Sequence, residues 1–306
     1  MTDTSGEIKI SIVLCTYNGE KYLHEQLHSL VNQTFPFYEL IISDDASTDA
    51  TRDIIRDFEK KDSRIKIFQN TVNLGLNKNF EKAIRHSTGN WIAPADQDDI
   101  WELNKLEIMK GDIKEGVTLV HCNSAKFYGV NFEEKKIFPS YRKFEGRDVR
   151  QLFLFNTIEG HAMLVQRRVA ETTFPLSDNI YFDWWLGFQA ALLGKVVWNK
   201  NYLINRRMHE QNFSELQMAM LRKDKGQLKQ ALYYTQHFTK AASENEQAAA
   251  FGEKLGRKLE QAIRGKKSPL FFFMFRYRKI LFYYKPSKPI IGLVSYLKAI
   301  SRFLNA

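Results

Sequence analysis

Residues 92–101 read IAPADQDDIW, so an apolar run delivers three aspartates, Asp96, Asp98 and Asp99, into four consecutive positions. Like charges this close repel one another unless a cation neutralises them. A hard divalent cation, Mn2+ or Mg2+, takes carboxylate oxygens and bridges them to phosphate. Residues i and i+2 of an extended chain project to the same side, which pairs Asp96 with Asp98 across Gln97. One carboxylate can then meet a metal while the other takes a sugar hydroxyl. Alone, the same stretch reads equally well as a solvated loop, and the elements around it have to decide.

Those elements alternate. IKISIVLCTY (8–17), YELIISDD (38–45), RIKIFQN and WIAPAD are apolar runs of strand length. Between them lie NGEKYLHEQLHSLVNQ, STDATRDIIRDFEKKD and NKNFEKAIRHSTG, with apolar residues at helical spacing and Asn18 as the expected N-cap of the first helix. A βαβαβαβ order demands a parallel sheet covered by helices, joined by right-handed crossovers. Ligands of such sheets sit outside the carboxyl ends of the strands. The four segments found there are CTYNGE, SDDAST, NLGLN and ADQDD, all polar and two with adjacent carboxylates. From about residue 117 the order changes. VTLVHCNSAKFYG and GHAMLVQRR read as strands with a helix over 146–156 between them. YFDWWLGFQAALLG is a helix from about Asp183 to Gly194, KVVWNKNYLINRRMH is a last strand or pair, and two long helices follow at roughly 214–240 and 243–264.

Bulk properties narrow the class. A chain of 306 residues with 44% hydrophobic and 13% aromatic content builds a packed globule. Cys15 and Cys122 sit in strand-like runs and read as buried free thiols, which suits a reducing cytoplasm; MTDTSGEIKI has neither the basic nor the long apolar segment of a signal peptide. The net charge of +10 equals the ten basic residues past Glu260, where no acidic residue occurs. The body is therefore balanced and its strand-end cleft acidic, which argues against nucleic acid as partner. A nucleotidyltransferase would place a glycine-rich basic loop after the first strand, and CTYNGEKYL is not one. A non-catalytic sugar-nucleotide scaffold remains as an alternative, as does nucleic-acid binding through the tail.

ISIVLCTYNGEKYLHEQLHSLVNQTF, ELIISDDASTDAT, NLGLNKNFEKAI and GNWIAPADQDDIW resemble, in order and spacing, the successive blocks of the family-2 inverting glycosyltransferases. The resemblance covers roughly residues 8–212. It implies the GT-A nucleotide-diphospho-sugar transferase fold, an α/β architecture with a Rossmann-like mixed sheet and helices on both faces, followed here by a C-terminal helical extension. YFDWWLGFQAALLGK and YLINRRMHEQNFS are similar to the rhamnosyltransferase-like branch, whose Tyr-Arg-x-His-x-x-Asn element departs here to Asn205-Arg206-Arg207-Met208-His209 but keeps His209 and Asn212.

The resemblance implies a catalytic domain over 1–213, with a nucleotide half to about 100 and an acceptor half after it, and a basic aromatic extension over 214–306. Thr16, Tyr17, Asn18, Glu20, Asp44 and Asp45 would hold base and ribose of a UDP- or dTDP-sugar. Asn73, Gly75 and Lys78 would flank ribose or diphosphate, and Asp96 and Gln97 the donor. Asp98 and His209 would ligate Mn2+ or Mg2+. Asp183 would be the base that activates an acceptor hydroxyl, favoured as an anion by the helix start. Trp184, Trp185 and His161 would meet the acceptor, a glycan or lipid-linked sugar. The segment LFFFMFRYRKILFYY is too short and charged to span a bilayer but mixes apolar and cationic residues as interfacial helices do, which predicts peripheral attachment to the anionic inner face of the cell membrane. Packing on the protein or a homo-oligomer contact is the other use of those aromatics.

Overall fold

The computed structural model describes residues 7–129, 134–137, 141–210, 226–285 and 289–305. Strands β1 (Ile10–Thr16), β2 (Glu39–Asp44), β3 (Ile65–Gln69) and β4 (Trp91–Ala95) pair in parallel in the order β3-β2-β1-β4. Helices α1 (Leu23–Val31), α2 (Thr51–Glu59) and α3 (Leu76–His86) link them. β1, β2 and β4 are buried along their whole length, which is why they read as unbroken apolar runs.

Four more strands complete a mixed eight-stranded sheet, ordered β3-β2-β1-β4-β7-β6-β8-β5: β5 (Ile100–Trp101), β6 (Val117–Tyr128), β7 (Met163–Gln166) and β8 (Lys195–Met208). β7 runs antiparallel to both β4 and β6, and β6 runs parallel to β8. β5 pairs antiparallel with β8, Ile100 opposite Asn205, which brings the end of the last strand against the acidic loop. Helices α4 (Lys105–Gly111), α5 (Arg167–Thr172) and α6 (Phe182–Leu193) belong to the same half. This is the GT-A arrangement, a mixed sheet flanked by helices, with further helices at the C-terminus.

The chain divides into two compact units, residues 1–138 with 158–208, and residues 139–157 with 209–306. The second unit holds α7 (Gln227–Ala241), α8 (Glu246–Ile263), α9 (Ser268–Arg276), α10 (Arg278–Leu281) and α11 (Pro289–Asn305). Phe153 is its hub, edge-on to Phe238 and Phe251 at 6.0 and 5.6 Å. Several aromatics of the tail are internal to this unit: Phe273, Phe282 and Tyr283 are buried, and the Tyr283 hydroxyl lies 2.6 Å from Thr157 Oγ1. Phe272 is exposed.

Three local expectations are corrected. Asn18 does not cap α1: it sits at φ +47° in the preceding loop, and the helix starts after Tyr22. The helix expected over 146–156 is a single 3-10 turn, Val149–Leu152, because Asp148 caps it and Phe153 and Leu154 turn into the second unit's core. The strand GHAMLVQRR stops at Gln166, and Arg167 begins α5. Asn212, Lys288 and residues 214–225 of the expected first C-terminal helix lie outside the described residues.

Candidate active site

The carboxyl ends of β1, β2 and β4 carry loops sewn together by side chains. Asp44 is fully buried and accepts from Thr16 Oγ1, from the Ser47 hydroxyl and amide, and from Arg52 Nε at 2.9 Å. Asp45 accepts from Asn70 and from the amides of Leu74 and Gly75, fixing the turn in which Gly75 takes φ +82° at the head of α3. Asn73 Oδ1 also accepts the Gly75 amide. Asn18 Oδ1 accepts the Thr48 amide and Glu20 the Ala50 amide, tying the loop after β1 to the loop after β2. Gln97 closes the seam from the other side: its Oε1 accepts from the Tyr17 amide at 2.9 Å and its Nε2 donates to the Tyr17 carbonyl at 3.0 Å. A Cβ at Gly19 would lie 2.3 Å from Gln97 Oε1, so this contact requires glycine there.

At the end of β4 the acidic loop meets His161, in the 3-10 turn Gly160–Ala162 before β7. His161 Nδ1 lies 3.1 Å from Asp96 Oδ2 and 3.4 Å from Asp99 Oδ2. On its other side, Nε2 lies 2.9 Å from Ser124 Oγ, which donates to Glu159 Oε2 at 2.7 Å. Burial alone would discharge His161, but Asp99, the hydrogen bond to Asp96 and Glu159 outweigh it and lift the imidazole to about 10. Asp99 is buried, and burial with Asp98 and Asp96 nearby raises its carboxyl. Burial also acts on Asp96, yet His161 holds it below the usual carboxylate range, and 41% of its side chain faces solvent. Beneath them Lys105, fully buried on α4, donates to the His161 carbonyl at 2.8 Å, and burial lowers its ammonium to about 7.

Asp183 stands in the first turn of α6. A Cβ on Gly160 would lie 3.4 Å from the Asp183 Cβ and 2.7 Å from Phe182 Cζ, so the glycine lets the His161 turn close on the helix start. Burial, with Asp96 and Glu159 adding to it and the Trp184 amide and His161 opposing, pushes the Asp183 carboxyl up to about 7. From β8, the buried Arg207 donates its amide to Asp99 Oδ1 and its Nε to the Asp98 carbonyl, and its guanidinium pairs with Glu25.

The structure thus gathers Asp96, His161 and Asp183 with Asp99 of the acidic trio, and adds Glu159, Ser124, Lys105 and Arg207, to which the sequence analysis gives no role. Glu159 lies two residues before His161 in EGHAML, the one local signal that points to it. Lys78 is exposed and paired with Asp178 at 3.0 Å. Trp185 is a core residue: it is buried, its indole donates to the Thr173 carbonyl, and it stacks on Phe188. Trp184 is partly exposed beside Asp183. His209 follows β8 directly and falls in the second unit.

A divalent cation fits the residues present. Asp96, Asp99 and His161 each offer a ligand atom within 4.8 Å of the others, and Asp99 Oδ2 is buried with no hydrogen-bond partner among the described residues. Asp98, partly exposed, adjoins them.

The family model described as glycosyl transferase family 2 matches residues 11–174, more than half of the chain, from the second residue of β1 through β7. The chain belongs to glycosyl transferase family 2. Among relatives of this family, the chain is 39% identical over 98 residues to the putative teichuronic acid biosynthesis glycosyltransferase TuaG of Bacillus subtilis, covering 32% of this chain and 39% of that one. It is 33% identical over 124 residues to the UDP-Glc:alpha-D-GlcNAc-diphosphoundecaprenol beta-1,3-glucosyltransferase WfgD of Escherichia coli, covering 40% and 46%. The match therefore spans less than half the length of either relative. Among solved structures, S. aureus TarS 1-349 in complex with UDP-GlcNAc superposes with a TM-score of 0.60 at 18% identity, over 96% of this chain and 90% of that one. This family-2 chain shares its fold with that protein.

Proposed function

We propose that this family-2 glycosyltransferase moves a sugar, rhamnose or another hexose, from a UDP- or dTDP-sugar to a hydroxyl of a glycan or lipid-linked acceptor in surface polysaccharide synthesis, with inversion at the anomeric carbon. The observation that carries the reading is the placement of Asp183 beside the Asp96–Asp99–His161 cluster at the carboxyl edge of the sheet. Of the two relatives described, one is named for a UDP-glucose donor and a lipid diphosphate-linked acceptor and the other for teichuronic acid biosynthesis, which supports the donor and acceptor classes.

Asp183 accepts the proton of the acceptor hydroxyl as its oxygen bonds to the anomeric carbon, and the bond from that carbon to the diphosphate oxygen breaks on the opposite face. A carboxyl poised near 7 suits this task, because proton transfer is most efficient when the base titrates near working pH. Asp96 and Asp98, the solvent-facing members of the acidic loop, would hold Mn2+ or Mg2+, with Asp99 and His161 behind them and His209 as a further candidate ligand. When bound, the cation neutralises charge on the leaving diphosphate. Thr16, Tyr17, Asn18, Glu20, Asp44 and Asp45 shape the nucleotide end; base recognition by Asp44 requires Arg52, which is one-third exposed, to swing away. Glu159 and Trp184 flank the acceptor side.

No helix among the described residues is long and apolar enough to cross a membrane. The basic extension instead attaches the enzyme peripherally to the anionic inner leaflet, where a lipid-linked acceptor is presented.

Release of nucleoside diphosphate from a panel of UDP- and dTDP-sugars with Mn2+ or Mg2+ tests the reading. Slow hydrolysis of at least one donor, lost in Asp183→Asn, is the expected result. A folded protein that neither cleaves nor is stabilised by any pyrimidine diphosphate overturns it.

A further inference from the structure

We propose that a cleft in the second unit binds the phosphate-bearing headgroup of an anionic membrane lipid, with the first apolar segment of that lipid lying on an aromatic floor. The cleft has a volume of about 650 Å3, within the usual size of ligand sites. Its floor is Phe155, Tyr284 and Phe303, with the Phe155 ring 5.4 Å from Tyr284 and 5.9 Å from Phe303. Its cations are Lys285, from the turn after α10, and Lys298 and Arg302 on α11.

Two observations point to this occupant. Lys298 and Arg302 are four residues apart on a helix, where like charges repel. No acidic side chain lines the cleft among the described residues, and the chain carries none past Glu260. Three cations around an aromatic floor without a carboxylate call for an anion brought from outside. Independently, α11 leaves Leu293, Val294 and Leu297 exposed next to Lys298. Apolar residues facing water beside cations are the signature of a helix that lies in a headgroup layer. A soluble anion would satisfy the cations and leave this apolar face in water; a phospholipid satisfies both.

The inference rests on the peripheral-attachment reading and makes it site-specific. Full-length protein is sedimented with vesicles of phosphatidylglycerol and phosphatidylcholine, and with phosphatidylcholine alone. Three proteins are compared: the wild type, a cleft variant (Lys285→Gln, Lys298→Gln, Arg302→Gln), and a control of equal charge loss (Lys254→Gln, Lys258→Gln, Lys266→Gln). Matching thermal melts establish that all three are folded. Partitioning onto anionic vesicles should fall by roughly 100-fold in the cleft variant, since each of the three cations near such a surface contributes about fivefold. The control should lose a few-fold at most, and arginine in place of Lys285 and Lys298 should restore binding. Soluble dihexanoyl phosphatidylglycerol should release the wild type from vesicles where equimolar inorganic phosphate does not. Equal losses in the two variants, or release by inorganic phosphate alone, overturn the cleft while leaving attachment standing. A wild type that ignores anionic vesicles overturns both.

Discussion

At the scale of single residues, the proposed chemistry turns on Asp183 and the charges facing it. Asparagine at this position keeps the shape and removes the proton acceptor, so Asp183→Asn should lower transfer by about 10²- to 10⁴-fold, the usual contribution of a general base. Donor binding, read by thermal shift, should survive. The same carboxyl predicts the pH profile. Its value is raised from 3.8 to about 7, so it is protonated and inactive below that point, and donor hydrolysis should climb as pH rises through about 7. A rate that is flat from pH 5 to 8 would remove Asp183 from this role. Of these residues, the acidic trio was legible because three carboxylates after an apolar run are conspicuous in a sequence. Glu159 was not. Its significance comes from Ser124 and His161, and Ser124 arrives from a strand 35 positions earlier. Lys105 was equally hidden, since a lysine in a short helix reads as surface until the fold buries it.

At the scale of elements, the turn before β7 and the start of α6 are held in register by Gly160. A Cβ there meets Phe182 Cζ at 2.7 Å, and the Phe182 ring is itself stacked on Phe80 with centroids 4.4 Å apart. Gly160→Ala should therefore cost about 1–3 kcal/mol, the usual penalty of overpacking, and should reduce activity beyond the loss of folded protein by displacing Asp183. A chemical melt combined with donor hydrolysis separates the two effects. The sheet has a second anchor in Glu39, at the start of β2. Burial would raise its carboxyl, but bonds from Lys66, Ser11 and Thr88 hold it at about 2 against an ordinary 4.5. A depressed carboxylate stabilises the fold above its unfolded value and loses that contribution as pH falls. Stability should thus decline between about pH 4.5 and 2, and Glu39→Gln should flatten the decline measured by acid titration of the melt. Strands β1, β2 and β4 were readable because both of their faces are buried and the helices between them carry a strong apolar period. The helix expected over 146–156 failed for the opposite reason: Phe153 answers to Phe238 and Phe251, about ninety positions later, which no local pattern encodes.

At the scale of the whole molecule, two compact units share one chain, and a ligand of the first should protect that unit. UDP or dTDP with Mn2+ at a hundredfold over Kd should add about 2.7 kcal/mol to its stability. Chelation by EDTA, or Asp98→Asn, should remove most of that gain. A melt with two steps, only one of which responds to nucleotide, would identify the catalytic unit directly. The basic tail was legible as a charge imbalance but not as architecture. Composition announces an excess of cations; only the fold shows that Phe273, Phe282 and Tyr283 are internal while Lys285, Lys298 and Arg302 surround a cleft.

The pair of hydrogen bonds between the Gln97 side chain and the Tyr17 backbone has a consequence for anyone who would recombine these enzymes. Grafting a foreign acidic loop onto this scaffold imports a side chain cut for a different glycine and a different peptide plane. A chimera that transplants residues 96–101 together with 16–20 should assemble, whereas one that transplants either stretch alone should be born with a mismatched hinge.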